Sequence, residues 1–441
     1  MVELFPSRYI HIGGDEVERS HWKASPVCQT FMQEHHIQTL PELQSYFNDY
    51  IQAFFRTKGK TLIGWDEIVE GGIDSSAVVM FWRPWARTMP AKATANGNKV
   101  IMTPDGPFYF DAVPDRKTLP EVYHYSPVDP QYGMGAAQQQ NILGVQANLW
   151  SEWIPTEARA DYMIMPRMSA LAELGWTNKD LYDSYLERLK GQYHRLDRMG
   201  IKYRLPDLAE IADSRVFVDT TSFMVKAPMP DMSVRYTVDG SWPGVHSPEL
   251  SRPLRVDHPL TLRVAAFTAA GRRGDVSTAV FSQQGYAKPA AVSGALADGL
   301  QVGFYKGAFN HTTDIKGTPE RTTVMAAPAL LKEIPATGWG LKFTGFIEVP
   351  ETGIYSFYLN SDDGSMLYIA GRLVVDNDGM HSPREKVGQV ALTKGLHSFA
   401  LEYMDGGGGG ALELKYSQHG DAEQIVPLQW YKHISGAGAG Q

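Results

Sequence analysis

Short apolar runs alternate with longer amphipathic stretches over the first 200 residues. Five runs have the length and composition of strands, and they cover residues 9–12, 61–65, 77–82, 99–102 and 142–150. Between the first two runs, apolar residues recur at spacings of three and four from Pro41 to Arg56, which predicts a helix with one apolar face. Further helices are predicted at residues 90–96, 158–174 and 180–199. Strands that alternate with helices indicate a parallel sheet or barrel.

From about Leu205 onwards, short strands separated by turn residues replace this alternation, which predicts β-sandwich structure. The dipeptides Asp363-Gly364 and Ala370-Gly371 are typical of hairpin turns. We therefore predict a barrel region at 1–204, a small β-sandwich at 205–286, a linker at 287–297, a second β-sandwich at 298–435 and a disordered tail at 436–441.

The composition is that of a globular, multidomain chain. With 441 residues, the sequence is too long for one compact core, and two or three domains are expected. The net charge is −8 without a basic stripe, so nucleic acid is not an expected partner. No apolar run is long enough to span a bilayer, and no signal peptide is visible at the start. Cys28 is the only cysteine, which excludes an intrachain disulfide.

Acidic and aromatic residues follow each predicted strand of the first region. They are Asp15 and Glu16 after the first strand, Trp65, Asp66 and Glu67 after the second, Trp82 after the third, Tyr109 and Asp111 after the fourth, and Trp150 and Glu152 after the fifth. In a βα barrel, the carboxyl ends of the strands build the active site. The sequence therefore predicts a ring of acids and aromatic side chains around one end of the sheet.

Four segments carry a resemblance to a known family. The run from His11 to Glu16, HIGGDE, resembles the signature of family 20 glycoside hydrolases, the β-N-acetylhexosaminidases. The segments GWDE at 64–67, QANLWSE at 146–152 and MPRMSALAE at 165–173 resemble later parts of the same catalytic barrel. The resemblance covers about residues 5–200 and implies an enzyme with a (β/α)8 TIM barrel.

The resemblance also implies a mechanism that uses the substrate itself as the nucleophile, an exception among glycosidases. Glu16 would protonate the leaving glycosidic oxygen, and the 2-acetamido oxygen of the sugar would attack the anomeric carbon. Asp15 would hold the acetamido N–H and stabilise the oxazolinium ion, which water activated by Glu16 would open with retention. The alternative is that Asp15 and Glu16 only cap a helix, because acids favour the first turn.

The same resemblance implies roles for the other residues of the ring. Trp65, Trp82 and Trp150 would enclose the acetamido group and the sugar face, and Tyr109 would hydrogen-bond the acetamido oxygen. Asp111 and Glu152 would bind sugar hydroxyls, for which carboxylates are strong acceptors. The alternative for any single tryptophan is a place in the core. The implied mechanism requires no metal and no cofactor.

The first region departs from the family by its length. A barrel of this kind needs eight βα units, whereas this chain provides the C-terminal five. The family also draws sugar-binding Arg, Asp and His residues from the three missing units. We therefore expect the chain to be a fragment of a longer gene product. Its open half-barrel would expose apolar surface, and we expect it to be poorly folded or impaired in activity.

The two later regions resemble accessory domains. Residues 205–286 resemble the fibronectin-like chitobiase/hexosaminidase C-terminal domain, through the hairpin VRYTVDGS at 234–241. Residues 298–435 resemble the protective-antigen-like β-sandwich of fourteen kilodaltons. Some such domains bind glycans through calcium, and Asp362 and Asp363 are the candidate ligands because calcium prefers carboxylate oxygens. The alternative is a hairpin turn with solvated acids.

Together these features predict hydrolysis of terminal, non-reducing β-linked N-acetylglucosamine or N-acetylgalactosamine from glycans. The alternative function is a non-catalytic glycan-binding fragment that acts through the last β-sandwich. A bacterial origin is expected, with the full-length protein in the periplasm, at the cell surface or secreted. The natural glycan and the oligomeric state stay open.

Overall fold

A computed structural model describes residues 2–177, 179–209, 211–331, 338–407, 410–418 and 421–435. The chain separates into two compact units, residues 1–204 and 205–441. The predicted tail at 436–441 lies outside the described residues. No helix of the described part combines the length and the apolar character needed to cross a membrane.

The first unit is built on a five-stranded parallel sheet in the order β1-β2-β3-β4-β5. The strands are β1 Tyr9–His11, β2 Thr61–Trp65, β3 Val78–Phe81, β4 Lys99–Met102 and β5 Ile142–Val145. The helices are α1 Ser20–Ala24, α2 Pro26–Glu34, α3 Leu40–Thr57, α4 Met89–Ala95, α5 Asp105–Phe108, α6 Thr118–Tyr123, α7 Ala136–Gln139, α8 Glu157–Ile164, α9 Arg167–Trp176 and α10 Tyr182–Met199. Each strand runs in the same direction as its neighbour, so all five carboxyl ends lie along one edge.

Helix α3 covers the predicted range but does not bury the predicted apolar face. Thr39 and Glu42 form a capping box at its start. The buried positions include the polar residues Gln44, Asn48 and Gln52. The aromatic side chains of the predicted apolar face are largely exposed, namely Tyr46, Phe47, Tyr50 and Phe54.

The predicted helix at 158–174 is two helices. α8 ends at Ile164, and α9 begins at Arg167. Pro166 stands between them, and a proline cannot donate the backbone hydrogen bond that would continue α8.

Among its described residues, the second unit contains strands and two short 3-10 helices, Thr312–Asp314 and Leu428–Trp430, but no α-helix. The strands are β6 Ser214–Phe217, β7 Thr221–Phe223, β8 Ser233–Thr237, β9 Leu254–Val256, β10 Leu260–Phe267, β11 Ser277–Gln283, β12 Leu296–Asp298, β13 Leu300–Lys306, β14 Arg321–Met325, β15 Trp339–Val349, β16 Gly353–Asp362, β17 Ser365–Ile369, β18 Arg372–Asn377, β19 Arg384–Leu392, β20 Gly395–Asp405, β21 Ala411–Gln418, β22 Gln424–Ile425 and β23 Tyr431–Ile434.

These strands form four sheets. A four-stranded sheet, β6-β11-β10-β8, and the pair β7-β9 occupy the first part. An eight-stranded sheet, which contains β15 and β20, and a four-stranded sheet, β19-β16-β21-β22, occupy the second. One core joins these last two sheets, with Trp339 and Tyr403 from the larger sheet and Tyr355 and Phe357 from the smaller. Alternate residues of β16 are buried, as expected for a strand with one face on a core.

One of the two predicted hairpin turns is confirmed. Ala370 and Gly371 both have positive φ, of 52° and 73°, and join β17 to β18 in the two-residue turn that favours such values. The prediction at Asp363-Gly364 is wrong, because β16 and β17 belong to different sheets. This dipeptide crosses from one sheet of the sandwich to the other.

Candidate active site

The acid pair lies on a tightly packed loop after β1. Gly14 has a φ of +96°, and a Cβ atom there would lie 2.6 Å from the side chain of Ile68, so a larger residue is excluded. The side-chain amide of Gln44, on α3, donates a 2.8 Å hydrogen bond to the Gly14 carbonyl and so ties the loop to this helix. Asp15 and Glu16 follow directly, and both side chains are exposed. They are therefore accessible at the carboxyl end of the sheet.

Two buried carboxylates lie at the neighbouring strand end. Asp66 is fully buried and accepts hydrogen bonds from the Trp82 backbone N–H at 3.1 Å and the Arg83 Nε at 2.9 Å. The Oε2 atom of Glu67 accepts a 2.9 Å bond from the indole Nε1 of Trp82. Its Oε1 atom lies 3.5 Å from the backbone nitrogen of Glu16. Glu67 thus links the acid loop to Trp82, a role that sequence reasoning missed.

Two arginines, Arg19 and Arg83, contact the carboxylates of this region. Burial raises the pKa of Asp66, although Arg83 opposes the shift. Burial also raises the pKa of Glu67, against the hydrogen bond from the Trp82 indole. Glu70 behaves differently: burial opposes its ionisation, but hydrogen bonds from Arg83 at 2.9 Å and Arg19 at 3.0 Å lower its pKa. The arginines thus pair most closely with Asp66 and Glu70, whereas Glu67 keeps the Trp82 indole at 2.9 Å and Arg83 at 3.7 Å.

Four aromatic side chains form a continuous wall, here called the aromatic arc, which consists of Trp65, Trp150, Tyr109 and Trp82. The ring centroids of Trp65 and Trp150 are 6.1 Å apart, those of Trp150 and Tyr109 5.9 Å, and those of Tyr109 and Trp82 6.3 Å. These separations lie within the range of interacting rings. Trp65 is buried, whereas Trp150 is 40% exposed. The arc offers an apolar surface at the same sheet end as the acid pair.

The backbone fixes Tyr109 against the segment after β5. Phe110 donates its N–H to the Asn148 carbonyl at 2.6 Å, and Asn148 donates its own to the Phe108 carbonyl at 2.8 Å. These bonds make an isolated parallel bridge between Tyr109 and Asn148. The loop after β4 therefore extends the sheet and presents the Tyr109 ring between its two tryptophan neighbours.

Burial is the main reason that the pKa of the Tyr109 hydroxyl is raised, and the charges of Asp105, Asp111 and Asp15 add to the shift. The hydroxyl is therefore a hydrogen-bond donor at neutral pH. The contribution from Asp15 shows that its carboxylate lies within electrostatic reach of Tyr109.

The two predicted hydroxyl-binding acids differ in their surroundings. Asp111 is half-buried, and its Oδ1 atom is buried without a hydrogen-bond partner among the described residues. Glu152 is exposed on a 3-10 turn, Ser151–Trp153, directly after Trp150. Asp111 thus has an acceptor atom that no described residue uses, while Glu152 is positioned by the turn that directly follows Trp150.

Arg167 braces the loop that carries Asp111, and sequence reasoning assigned it no role. Its buried guanidinium donates to the Phe110 carbonyl at 2.7 Å and to the Met163 carbonyl at 2.9 Å. It also lies over the Phe110 ring at 4.4 Å. Burial and the nearby Arg204 lower its pKa to about 10, which Asp111 opposes. The family-like segment at 165–173 contained this arginine, but only its partners reveal what it does.

The calcium candidates lie in the second unit. The Asp363 carboxylate is buried and accepts backbone N–H bonds from His381 at 2.8 Å and from Gly406 at 2.9 Å. Burial, with the charge of Asp363, raises the pKa of Asp362. Within the described ranges, no group of three or more His, Cys, Asp or Glu side chains has the arrangement of a metal site. Asp363 braces two loops, and calcium binding stays a prediction.

An exposed acid pair beside an arc of aromatic rings is the arrangement expected of a site that acts on carbohydrate. Comparisons with known proteins show what each region of the chain is similar to. Residues 1–179 match the catalytic domain of glycosyl hydrolase family 20, residues 215–278 match the chitobiase/beta-hexosaminidase C-terminal domain, and residues 296–430 match the PA14 domain. These matches confirm all three resemblances noted in the sequence.

Among curated relatives, a beta-hexosaminidase of Porphyromonas gingivalis is 33% identical over 425 residues, which are 89% of this chain and 53% of that protein. The beta-hexosaminidase subunit beta of Homo sapiens is 30% identical over 200 residues, 44% of this chain and 34% of that protein. The chain therefore spans about half or less of their length. Among solved structures, the exo beta-N-acetylglucosaminidase of Vibrio harveyi, in complex with N-acetylglucosamine, aligns at 32% identity and a TM-score of 0.41, over 46% of this chain and 34% of that one.

Proposed function

We propose that this chain carries the acid pair of a retaining β-N-acetylhexosaminidase, which removes terminal non-reducing N-acetylglucosamine or N-acetylgalactosamine from glycans. The observation that carries the proposal is the placement of Asp15 and Glu16 at the sheet end that also holds the aromatic arc. The names of the relatives and the family match support the same activity. Because the chain spans only part of the length of those relatives, the activity of a complete β-N-acetylhexosaminidase is a proposal and does not follow from the matches alone.

In the proposed reaction, Glu16 gives its proton to the glycosidic oxygen as the bond from that oxygen to the anomeric carbon breaks. The acetamido oxygen of the same sugar forms the new bond to that carbon, and the ring so formed carries a positive charge. Asp15 accepts the acetamido N–H and stabilises this charge. Glu16 then takes a proton from water, whose oxygen attacks the anomeric carbon and regenerates the acetamide. Two inversions at one carbon give net retention.

The other side chains orient the sugar for this displacement. The Tyr109 hydroxyl donates a hydrogen bond to the acetamido oxygen, which aims that oxygen at the anomeric carbon. Trp65, Trp82 and Trp150 pack against the acetamido methyl and the apolar sugar face. Asp111 and Glu152 accept hydrogen bonds from sugar hydroxyls. The unused Oδ1 atom of Asp111 supports this assignment.

We also propose that the parallel sheet is the C-terminal five-strand part of a (β/α)8 barrel. The parallel order β1 to β5 and the position of the acid pair after β1 support this. The proposed domain limits are 1–204 for the barrel part, 205–286 and 298–435 for the two β-sandwiches, with a linker at 287–297. A glycan-degrading enzyme of this organisation acts outside the cytoplasm, at the cell surface, in the periplasm or after secretion.

The test is hydrolysis of 4-nitrophenyl N-acetyl-β-glucosaminide, with 4-nitrophenyl β-glucoside as the substrate that lacks the internal nucleophile. We expect impaired but measurable turnover, lowered a further 10²- to 10⁴-fold by Glu16→Gln, because general acid catalysis contributes about that much. Glu18→Gln is the matched control, since Glu18 is an exposed acid two residues away. Equal rates on the two substrates would contradict the participation of the acetamido group.

If turnover by this chain lies below detection, binding separates the enzyme from a glycan-binding fragment. A thiazoline analogue of the oxazolinium ring is expected to alter the tryptophan fluorescence of the parent chain, and Asp15→Asn is expected to weaken that effect. Binding of N-acetylglucosamine oligomers that survives Asp15→Asn and Trp150→Ala unchanged would favour the alternative, a module that acts through the second unit.

A further inference from the structure

The acid loop after β1 ends in a backbone conformation that a glutamate rarely adopts. Glu16 has a φ of +49°, in the left-handed region that favours glycine. The residues before it are fixed by backbone contacts, since Trp65 donates its N–H to the Gly13 carbonyl at 3.0 Å and Gln44 bonds the Gly14 carbonyl. A residue in such a conformation persists only where its surroundings hold it, and such residues are concentrated at active sites.

One carboxylate holds Glu16 itself. The backbone N–H of Glu16 donates towards the Oε1 atom of Glu67 at 3.5 Å, and among the described residues Glu16 makes no other hydrogen bond. The distance is long for a hydrogen bond, but the acceptor is a carboxylate, and ionised acceptors give the stronger bonds to backbone N–H groups. The direction in which the Glu16 side chain leaves the loop therefore depends on where Glu67 lies.

The side chain of Glu67 is itself fixed. Glu67 is only 6% exposed and lies on the buried 3-10 turn Asp66–Val69, directly after β2. Its second oxygen, Oε2, accepts the Trp82 indole N–H at 2.9 Å, and the Arg83 Nε lies 3.7 Å from the same atom. Asp66, its neighbour in the turn, bonds the backbone N–H of Trp82. Buried side chains are close-packed and keep one position, so the turn and Trp82 together determine where Oε1 lies.

We propose that Glu67 is a positioning residue, which sets the distance between the acid Glu16 and the sugar-binding face of Trp82. The inference rests on the proposed function, in which Glu16 protonates the glycosidic oxygen while Trp82 packs against the acetamido group of the same sugar. One rigid carboxylate uses one oxygen for each of them, so that neither moves alone. Glu67 transfers no proton and acts only through Glu16.

The leaving group of the substrate separates a misplaced acid from general damage to the site. A phenolate is a poor leaving group and needs the proton of Glu16 as its bond breaks, whereas 2,4-dinitrophenolate leaves without a proton. Displacement of reacting groups by about 1 Å can lower a rate about 100-fold. Loss of the Glu67 contact should therefore slow the phenyl substrate far more than the dinitrophenyl substrate, while general damage should slow both by the same factor.

The experiment compares the parent chain with Glu67→Gln on phenyl and 2,4-dinitrophenyl N-acetyl-β-glucosaminide. Glutamine keeps the size of the side chain but offers one acceptor oxygen, so it serves only one of the two N–H donors. We expect kcat on the phenyl substrate to fall at least about tenfold further than kcat on the dinitrophenyl substrate, with KM changed less than about threefold. Glu70→Gln is the matched control, because Glu70 directly follows the same turn but bonds Arg19 and Arg83, and it should lower both rates by the same factor.

Hydrogen exchange gives a second readout that needs no turnover. Glu67→Gln should speed exchange of the Glu16 N–H at least about fivefold and should leave exchange in β4 unchanged, because only the loop loses a contact. Glu67→Asp keeps the charge but is one methylene shorter and cannot reach both donors, so it preserves both tests if the glutamine variant is unstable. Trp82→Phe removes the indole N–H, and added to Glu67→Gln it should increase the loss little, since residues that act as a unit are not additive.

The proposal is overturned if Glu67→Gln lowers the two rates by the same factor, or if the Glu16 N–H exchanges as it does in the parent. If turnover of the parent lies below detection, the exchange result alone decides. A parent that hydrolyses glucosides with and without the N-acetyl group equally fast would count against the proposed function instead, and exchange at Glu16 would still decide whether Glu67 holds the loop.

Discussion

Asp66 connects the buried charges of the candidate site to the backbone at Trp82, directly after β3, and its replacement by alanine measures what that connection contributes. The carboxylate is fully buried and bonds the Trp82 N–H and the Arg83 Nε. Asp66→Ala leaves both donors without their acceptor. An unsatisfied buried donor costs about 1–3 kcal/mol, and a broken buried ion pair about 3–5 kcal/mol.

Two effects place the expected cost at the lower end of that range. Arg83 keeps Glu70 at 2.9 Å and Glu67 at 3.7 Å, so its charge stays compensated. Burial also raises the pKa of Asp66, which shows that the ionised form is itself costly at this position. We therefore expect Asp66→Ala to lower the free energy of unfolding of the first unit by about 3 kcal/mol. Asp66→Asn keeps one acceptor oxygen but turns an amide N–H2 group towards the other donor, so it should cost a similar amount.

Urea denaturation followed by tryptophan fluorescence is the assay. Seven of the ten tryptophans precede residue 205, so the signal reports mainly on the first unit. Glu187→Gln is the control, because Glu187 and Lys190 form an exposed pair whose loss should cost less than about 0.5 kcal/mol. If Asp66→Ala cost no more than this control, the carboxylate would not hold the network together.

Two further predictions concern packing and pH. Gly388→Ala should lower the stability of the second unit by at least about 3 kcal/mol, because its Cβ would lie 1.7 Å from the Val374 carbonyl oxygen. In the control Gly244→Ala the new Cβ meets nothing within 4 Å, so stability should change by less than about 0.5 kcal/mol. Equal melting temperatures for the two variants would refute this prediction. A hydrogen bond from Arg56 lowers the pKa of Asp74 from 3.8 to about 2, so its stabilising contribution is present above pH 3.8 and is lost as the pH falls through 2. The shift in pKa corresponds to at most about 2.4 kcal/mol of stability, and exposure of both side chains reduces this to about 1 kcal/mol. Asp74→Asn should therefore reduce the loss of stability that denaturation curves show as the pH falls. A constant difference in stability from the parent between pH 5 and pH 2 would contradict this prediction.

The sequence predicted most strands because their apolar runs are short and bounded by turn residues. The run at 99–102 matches β4 in full, whereas the run at 142–150 gives a strand only to Val145. Beyond Val145, the segment forms only an isolated bridge through Asn148, since its neighbour there is a loop and not a continuing strand. Periodicity identifies such a segment as extended, but the length of its pairing depends on the partner.

Helix α3 shows what periodicity leaves undetermined. The 3,4 spacing of its aromatic residues predicts the helix, but not which face meets the sheet. Gln44 turns inward because it bonds the Gly14 carbonyl, and Gln52 because it bonds the Ser76 hydroxyl at 2.8 Å. These acceptors are 30 and 24 residues away along the chain, so the local sequence pattern cannot predict them.

The residues of the candidate site were likewise predictable only in part. Its aromatic members were predictable, because each follows a strand, and parallel strands bring their carboxyl ends together. The supporting charges were not: Arg83 acquires its role from contacts with Asp66 and Glu70, and Arg167 from the Phe110 carbonyl. A buried ion network is defined by distances between elements, and sequence spacing does not give those distances.

The outward aromatic face of α3 affects how the first unit responds to temperature. Heat-capacity change on unfolding comes mainly from apolar surface that water reaches for the first time. Phe47, Tyr50 and Phe54 already meet water in the folded chain, at 61%, 74% and 47% exposure. Their share of that change, about 0.2 kcal/mol/K at ~0.45 cal/mol/K per Å² of apolar surface, is therefore largely absent. The first unit of 204 residues is expected to show about 2.4–3.1 kcal/mol/K in all, so the outward face of α3 should make its stability curve only slightly flatter.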